Sequence, residues 1–405
     1  MKRKLPFSAC VILMLITALL TYQIVTVVDE AKYNKIIGEF TFSPADDPKL
    51  AEIKALVENE YVNDIDKDYL TTSLVYGYVF GLKDPHAAYY TKEQYTEKIS
   101  ELNGNLTGIG IRVFLQELDG SDTDQIVIFE VMEGSPAEAA GIKAGDIIYS
   151  VGGVLYSELG YEETVNSITG EAGSSVTFEV MRNKRVKEFT IERKLFESQL
   201  VSYKISDTNA NVGYIRIYEF GTSAVAQFKR AVESLKTQGA TRLVFDVRNN
   251  PGGELTTITS ILDYLLPEGP IITLTDKSGE STVYTSDKNE VALPMAVLAN
   301  GSTASAAELF TASLIDYNKA IFVGTKTYGK GTVQTTYELS DKSAVKFSTQ
   351  HYLPPSGVSF DGIGLYPTDG YEISLTEEEQ KNFYLLSEED DPQLMAAINY
   401  LIQVK

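Results

Sequence analysis

Cysteine is almost absent from this 405-residue chain. Cys10 is the only one, so no internal disulfide framework can form. Tryptophan is missing, and histidine occurs only as the distant pair His86 and His351. No Cys/His cluster with metal-ligand spacing exists, so neither a metal site nor any other cofactor is expected. Basic residues are the minority: 35 Lys and Arg against 56 Asp and Glu give 35 − 56 = −21. That balance excludes the basic face that nucleic acid rewards and bears on solubility more than on fold. Internal repeats and low-complexity tracts are lacking too.

Charge is also absent from Leu5 to Val28, directly after Lys2, Arg3 and Lys4. At about 1.5 Å per helical residue this run can cross a hydrocarbon core of about 30 Å. The basic flank keeps its own end cytoplasmic and predicts that the remainder lies outside. A cleaved signal peptide is the rival, with secretion as its consequence, but TYQIVTVV offers no A-x-A site. Cys10 precedes the apolar core, which does not suit lipid attachment.

Beyond the anchor (1–28), three patterns follow. Residues 29–103 comprise a tether and a helical domain, in which KLAEIKALVENEYV and DYLTTSLVYGYVFGL carry apolar residues near a 3.6 period until Asp84-Pro85. From 104 to 196 the period becomes two. IRVFLQEL, IVIFEVM, DIIYSVGG, SVTFEVMR and VKEFTIER read as strands, with short helices at SPAEAAGIKAG and GYEETVNSIT. From 197 to 405 strands alternate with helices, which predicts βαβ units and a largely parallel sheet. Ligands of such sheets bind outside the carboxyl ends of the strands.

Three strand ends carry candidate chemistry. DVRNNPGGE (246–254) brings two glycines to a helix start, which reads either as an oxyanion hole or as a plain turn. NGSTASAAE (300–308) puts Ser305 at the first turn of a helix among alanines, as a nucleophile or an N-cap. The N–H of Ala306 would be a second oxyanion donor. GTKTYGKGTVQ (324–334) sets Lys330 between glycines, where burial would yield a neutral amine able to serve as a base; a solvated hairpin lysine is the alternative. A phosphate loop does not fit, because Gly331 stands where Ser or Thr is needed and a strand follows. His351 remains open as a base, and no G-x-S-x-G elbow is present.

Together, NGSTASAAELF…DY…GTKTYGKGTVQ resembles the catalytic segment of the carboxyl-terminal processing (tail-specific) peptidases, and DVRNNPGG resembles their D-L-R-N-N-P-G-G. The resemblance implies Ser305 as nucleophile, Lys330 as base, 330 − 305 = 25 positions on, and Gln334 as its support. It also implies Gly253 as an oxyanion donor. Glu308, Asp316 and Thr327 match further family positions. GLKDPHAAYY and YLPPSGVSFDGIGLYPTD match others, while GIGIRV with GSPAEAAGIKAGDIIYSVGG is similar to a PDZ domain. Gly108, Ile109, Gly110 and Ile111 then form the loop that holds a substrate's terminal carboxylate. Thr169 stands where the family often has an arginine that could couple this domain to catalysis.

The expected architecture is therefore α+β and multidomain: a helical N-terminal domain, a PDZ-like β domain and an α/β crotonase-like (ClpP-like) catalytic core. The expected activity is that of an extracytoplasmic serine endopeptidase acting on proteins or peptides with apolar C-termini. A homo-oligomer is compatible with the sequence. A non-catalytic PDZ scaffold of the cell envelope is the alternative, and an acyl-CoA enzyme a more distant one.

Overall fold

The computed structural model describes residues 47–102, 105–116 and 124–404. The expected anchor and tether (1–45) lie outside these. Among the described residues no helix is long and apolar enough to cross a membrane. The chain divides into two compact units, residues 1–75 and 76–405. In the first, α1 (Pro48–Glu60) starts at Asp47, whose carboxylate accepts the N–H of Lys49 and Leu50, with Pro48 fixing the first turn. A second helix, α2 (Lys67–Phe80), begins in the first unit and ends in the second.

The second unit opens with β1 (Ala88–Tyr90) and α3 (Lys92–Leu102). A short ribbon of β2 (Asn105–Gly108) leads into β3 (Ile111–Gln116) and β4 (Gln125–Val131). Then follow α4 (Pro136–Ala140), β5 (Ile147–Val151), β6 (Val154–Leu155), α5 (Tyr156–Ile168), β7 (Ser175–Arg182) and β8 (Arg185–Glu192), with β9 (Lys194–Glu197) returning to β2. The sheet order is β3-β4-β5-β7-β8, with β6 on β5, so β3 is an edge strand. Alternation sends Ile126, Ile128, Ile148, Phe178, Val180 and Ile191 inward to a separate apolar core.

The remainder builds a three-layer α/β/α arrangement. Strand β10 (Val201–Ile205) pairs antiparallel with β11 (Val212–Ile217), and α6 (Ala224–Thr237) joins β11 to the parallel β12 (Arg242–Asp246). After α7 (Leu255–Leu265) the chain forms β13 (Gly269–Asp276) and β14 (Ser281–Ser286), then β15 (Met295–Ala299), α8 (Ala306–Asp316) and β16 (Ala320–Gly324). The sheet runs β10-β11-β12-β15-β16, parallel except for β10. Its inner strands are continuous apolar runs because both faces are covered. Leu243, Phe245 and Val297 face the layer of α6, α7 and α8, whereas Val244, Ala296 and Leu298 face Leu394, Ala397 and Leu401. Those last residues lie on the final helix.

A second, antiparallel sheet carries β17 (Thr332–Glu338) and β18 (Ala344–Leu353) beside β13 and β14. Two short helices, α9 (Glu377–Lys381) and α10 (Pro392–Gln403), end the chain. The segment read as part of a helical domain holds a strand: β1 pairs with β18 in the register Ala88↔Lys346 to Tyr90↔Ala344. Three residues are too few for a period-two signal, and pairing gives them their identity. This register carries the Asp84-Pro85-His86 turn into the second sheet, where the Ser348 N–H donates to Asp84 at 2.8 Å.

Candidate active site

The parallel register aligns the carboxyl ends of β11, β12, β15 and β16, so the turns that follow them converge. Asn249 and Asn300 exchange hydrogen bonds between two of these turns: Asn249 N to Asn300 Oδ1 at 3.0 Å and Asn300 Nδ2 to Asn249 Oδ1 at 2.8 Å. Ala304 N donates to Asn250 O at 3.0 Å, which fixes the serine turn against the glycine turn.

Ser305 sits at φ 56°, a left-handed conformation that is costly for a residue with a Cβ, and caps α8. Its N–H donates to Glu308 Oε2 at 3.0 Å. Glu308 is fully buried and takes three more donors: Thr327 Oγ1 at 2.6 Å and Gly329 N at 2.7 Å on Oε1, and Lys330 N at 2.8 Å on Oε2. One carboxylate therefore ties the serine turn to the lysine loop. Thr303 adds a second tie, because its carbonyl accepts Tyr328 N at 3.1 Å.

The glycines beside Lys330 are needed for close approach. A Cβ on Gly329 would fall 2.7 Å from Gly364 N, and one on Gly331 would fall 2.6 Å from Asp361 Cβ. Burial and then the Lys346 cation hold the Lys330 ammonium below the ordinary lysine range, although Asp84 and Glu308 pull the other way. The Gln334 amide donates to Thr332 O, Thr332 Oγ1 and Ser348 Oγ at 3.1, 3.0 and 3.1 Å.

The glycine turn lies against Phe220. Phe220 N donates to Gly252 O at 2.8 Å and Glu254 N to Phe220 O at 2.9 Å, while Gly252 N is taken by Asn250 Oδ1 at 2.8 Å. Among the described residues, neither Gly253 N nor Ala306 N is a donor in the hydrogen bonds that hold these turns. Ser305, Lys330, Gln334, Gly253 and Ala306 line one cavity of about 880 Å³ with apolar walls that include Leu255 and Ile258. Anchoring comes from behind: Arg248 is forked between Asp246 and Asp391, at 2.6 and 2.7 Å from Nη2, and Asp391 caps α10.

The loop read as a carboxylate holder runs from the end of β2 to the start of β3. Ile109 is buried with its carbonyl accepting Ala137 N at 2.8 Å, and Gly110 at φ +81° leaves no room for a Cβ beside Ser135. Asp316 accepts Ser356 N at 2.9 Å, so it ties the Pro-Pro-Ser-Gly turn to the end of α8. His86 comes near Lys330: burial first, and that cation next, hold the imidazole below its usual range. Its place was hidden by the pairing of β1. Tyr352 stands in the YLPPSG motif, where nothing local marks it as part of the site. Its buried hydroxyl donates to Lys330 O at 2.6 Å and neighbours the Ser305 hydroxyl.

Residues 211–369 match the model of peptidase family S41, and residues 107–192 that of the PDZ domain. A relative from Staphylococcus aureus (strain MSSA476), named "Probable CtpA-like serine protease", is 33% identical over 359 residues, 87% of this chain and 70% of that one. The chain belongs to peptidase family S41. This S41 member is a serine protease that carries a PDZ domain. A relative of the same name from Staphylococcus saprophyticus is 31% identical over 323 residues, 79% of this chain and 64% of its own length. Among solved structures, an S41 protease from Bacteroides fragilis NCTC 9343 shares the fold, with a TM-score of 0.55, 20% identity, and coverage of 85% of this chain and 99% of that one. The photosystem II D1 C-terminal processing protease is 26% identical with a TM-score of 0.49, over 80% and 86% of the two chains.

Proposed function

We propose that this S41 protease is an extracytoplasmic endopeptidase, held at the membrane by residues 1–28, that captures apolar C-terminal tails and cleaves by a Ser-Lys mechanism. The observation that carries the reading is the Glu308 carboxylate, which accepts backbone N–H groups of Ser305 and Lys330 at 3.0 and 2.8 Å beside one cavity. Lys330 is neutral when the reaction begins. Ser305 Oγ attacks the scissile carbonyl carbon and its proton passes to Lys330 Nζ. The C–N bond breaks as Lys330 returns that proton to the leaving amine. Water then attacks the ester and gives a proton to Lys330, and the C–O bond to Ser305 breaks as Lys330 returns that proton to Ser305 Oγ and the acid product leaves. The N–H groups of Gly253 and Ala306 bind the oxyanion in both halves. Gln334, braced on Thr332 and Ser348, supports Lys330 from the next strand.

Tail capture uses the open edge of β3. A substrate C-terminus adds as a strand there, with its carboxylate on the 108–111 loop and its apolar side chains near Ile111, Val113, Tyr156 and Leu159. The test uses the full-length protein and an unfolded substrate with an apolar tail. Ser305→Ala and Lys330→Ala should each abolish cleavage while tail binding persists. Cleavage by either variant at the wild-type rate would sink the mechanism, and tail binding by a wild-type chain that cleaves nothing would support the scaffold reading.

A further inference from the structure

Thr169 leaves the PDZ domain without the arginine expected there, yet another arginine crosses from this domain to the core. Arg112 lies on β3, immediately after the 108–111 loop. The β3–β4 register slips between Arg112 and Val113, where Phe129 of β4 is the extra residue. Within its own domain Arg112 Nε pairs with Glu130 Oε2 at 2.9 Å. Its other contacts are with the core: Nη2 donates to the Gln199 carbonyl, and the guanidinium lies 4.1 Å over the Tyr218 ring. Arg112 also lines the same cavity as Ser305.

Tyr218 leads directly to the oxyanion turn. Arg216 lies 5.3 Å from the same ring and pairs with Asp246 at 3.8 Å. Tyr218 N donates to Leu200 O at 2.9 Å, next to the carbonyl that Arg112 holds. Burial first, and Glu130 next, push the Tyr218 phenol up to about 12, so the ring stays neutral beside two cations. Two residues on, Phe220 forms the ledge of the Gly252–Gly253 turn. A Cβ on Gly253 would stand 2.4 Å from Phe220 O, so a small shift of this segment changes where the Gly253 N–H points.

We propose that Arg112 is a positioning residue for the S41 reaction, which reaches from the tail-binding domain to hold Tyr218 and, through the Tyr218–Phe220 segment, the oxyanion glycines. The inference rests on the peptidase reading for its kinetic consequence only. The PDZ domain is then a structural part of the catalytic site, beyond its service as a tether for tails.

Two measurements on the full-length chain test this. Hydrogen exchange needs no substrate: Arg112→Met should speed exchange of the 247–254 segment by about tenfold while strand 295–299 keeps its wild-type protection. On a reporter peptide with an amidated C-terminus, which offers no terminal carboxylate, the same variant should lower kcat by about tenfold with KM nearly unchanged. Arg112→Lys, which keeps a cation over Tyr218, should recover part of both effects. Tyr218→Leu should reproduce them from the core side, and the double variant should be no worse than either single one. If Arg112→Met does not fold, Tyr218→Leu decides by the same two readouts. Unchanged exchange at 247–254, or an equal rise throughout residues 76–405, would overturn the proposal. If the wild-type chain cleaves nothing, the peptidase reading falls, and the exchange pattern still decides what Arg112 holds.

Discussion

The Lys330 N–H donates to Glu308 Oε2 at 2.8 Å, and that same oxygen accepts the N–H of Ser305. Two backbone segments that meet only in the folded chain thus share one buried acceptor. Glu308→Gln keeps the shape but sets an NH₂ group against N–H donors. It should cost about 1.5–3 kcal/mol for each charge-assisted bond lost. Activity should fall by about a hundredfold, since misplacing either group is enough to do so. Urea unfolding and steady-state kinetics check the two effects separately.

On the proposed mechanism Lys330 gives the activity its pH dependence. Burial and Lys346 hold its ammonium below the ordinary lysine range, and the proposed base is the neutral amine. Cleavage should rise with pH through an apparent pKa below about 10.4. For stability the sign follows from proton binding. Between the lowered folded value and the unfolded one, the unfolded chain holds more protons, so stability rises with pH in that window. Lys330→Met should flatten this rise and stabilise the fold most on its acid side. Chemical denaturation across the pH range reads this without any substrate.

Gly253→Ala places a Cβ where Phe220 O stands at 2.4 Å, at a backbone φ of +147°. The turn must move and the Gly253 N–H must turn with it. Loss of one oxyanion donor costs about 10²–10³ in rate. Kinetics on the variant should show that loss in kcat, with tail binding by the PDZ domain intact. A wild-type kcat would remove Gly253 from the oxyanion site.

Asp246 connects acid stability to the same loop. Burial alone would raise its pKa, but Arg248 and then Arg216 hold the carboxyl at about 2. A depressed carboxylate contributes stability above its unfolded value of about 3.9, and that contribution is lost as pH falls through the folded value. Asp246→Asn should remove this acid limb. At neutral pH it should cost about 3–5 kcal/mol, because it leaves buried guanidinium groups short of a partner. Thermal unfolding at pH 7 and pH 3 should show a large deficit at the first and a smaller one at the second.

Much of the core could be read in advance for a physical reason. Strands β12, β15 and β16 are buried on both faces, so they read as short continuous apolar runs, and the helices between them carry clear apolar stripes. The catalytic candidates stand at the ends of those runs, where small residues and glycines mark turns. By contrast β14 is exposed along nearly its whole length and has no such mark. β1 is three residues long and owes its state to β18. Tyr352 looked like any strand aromatic until its hydroxyl met the lysine loop.

By itself the sequence supplied the candidates for the chemistry: one serine, one lysine 25 positions on, and a two-glycine turn, in residue types that suit acyl transfer. Tertiary structure alone decided what makes them one site. Glu308 joins the serine turn to the lysine loop, β1 brings Asp84 and His86 to the lysine, and Arg112 reaches from another domain to Gln199 and Tyr218. Those relations depend on parallel register and strand pairing between distant segments. Periodicity and turn signals are local, so they carry no information about such pairings.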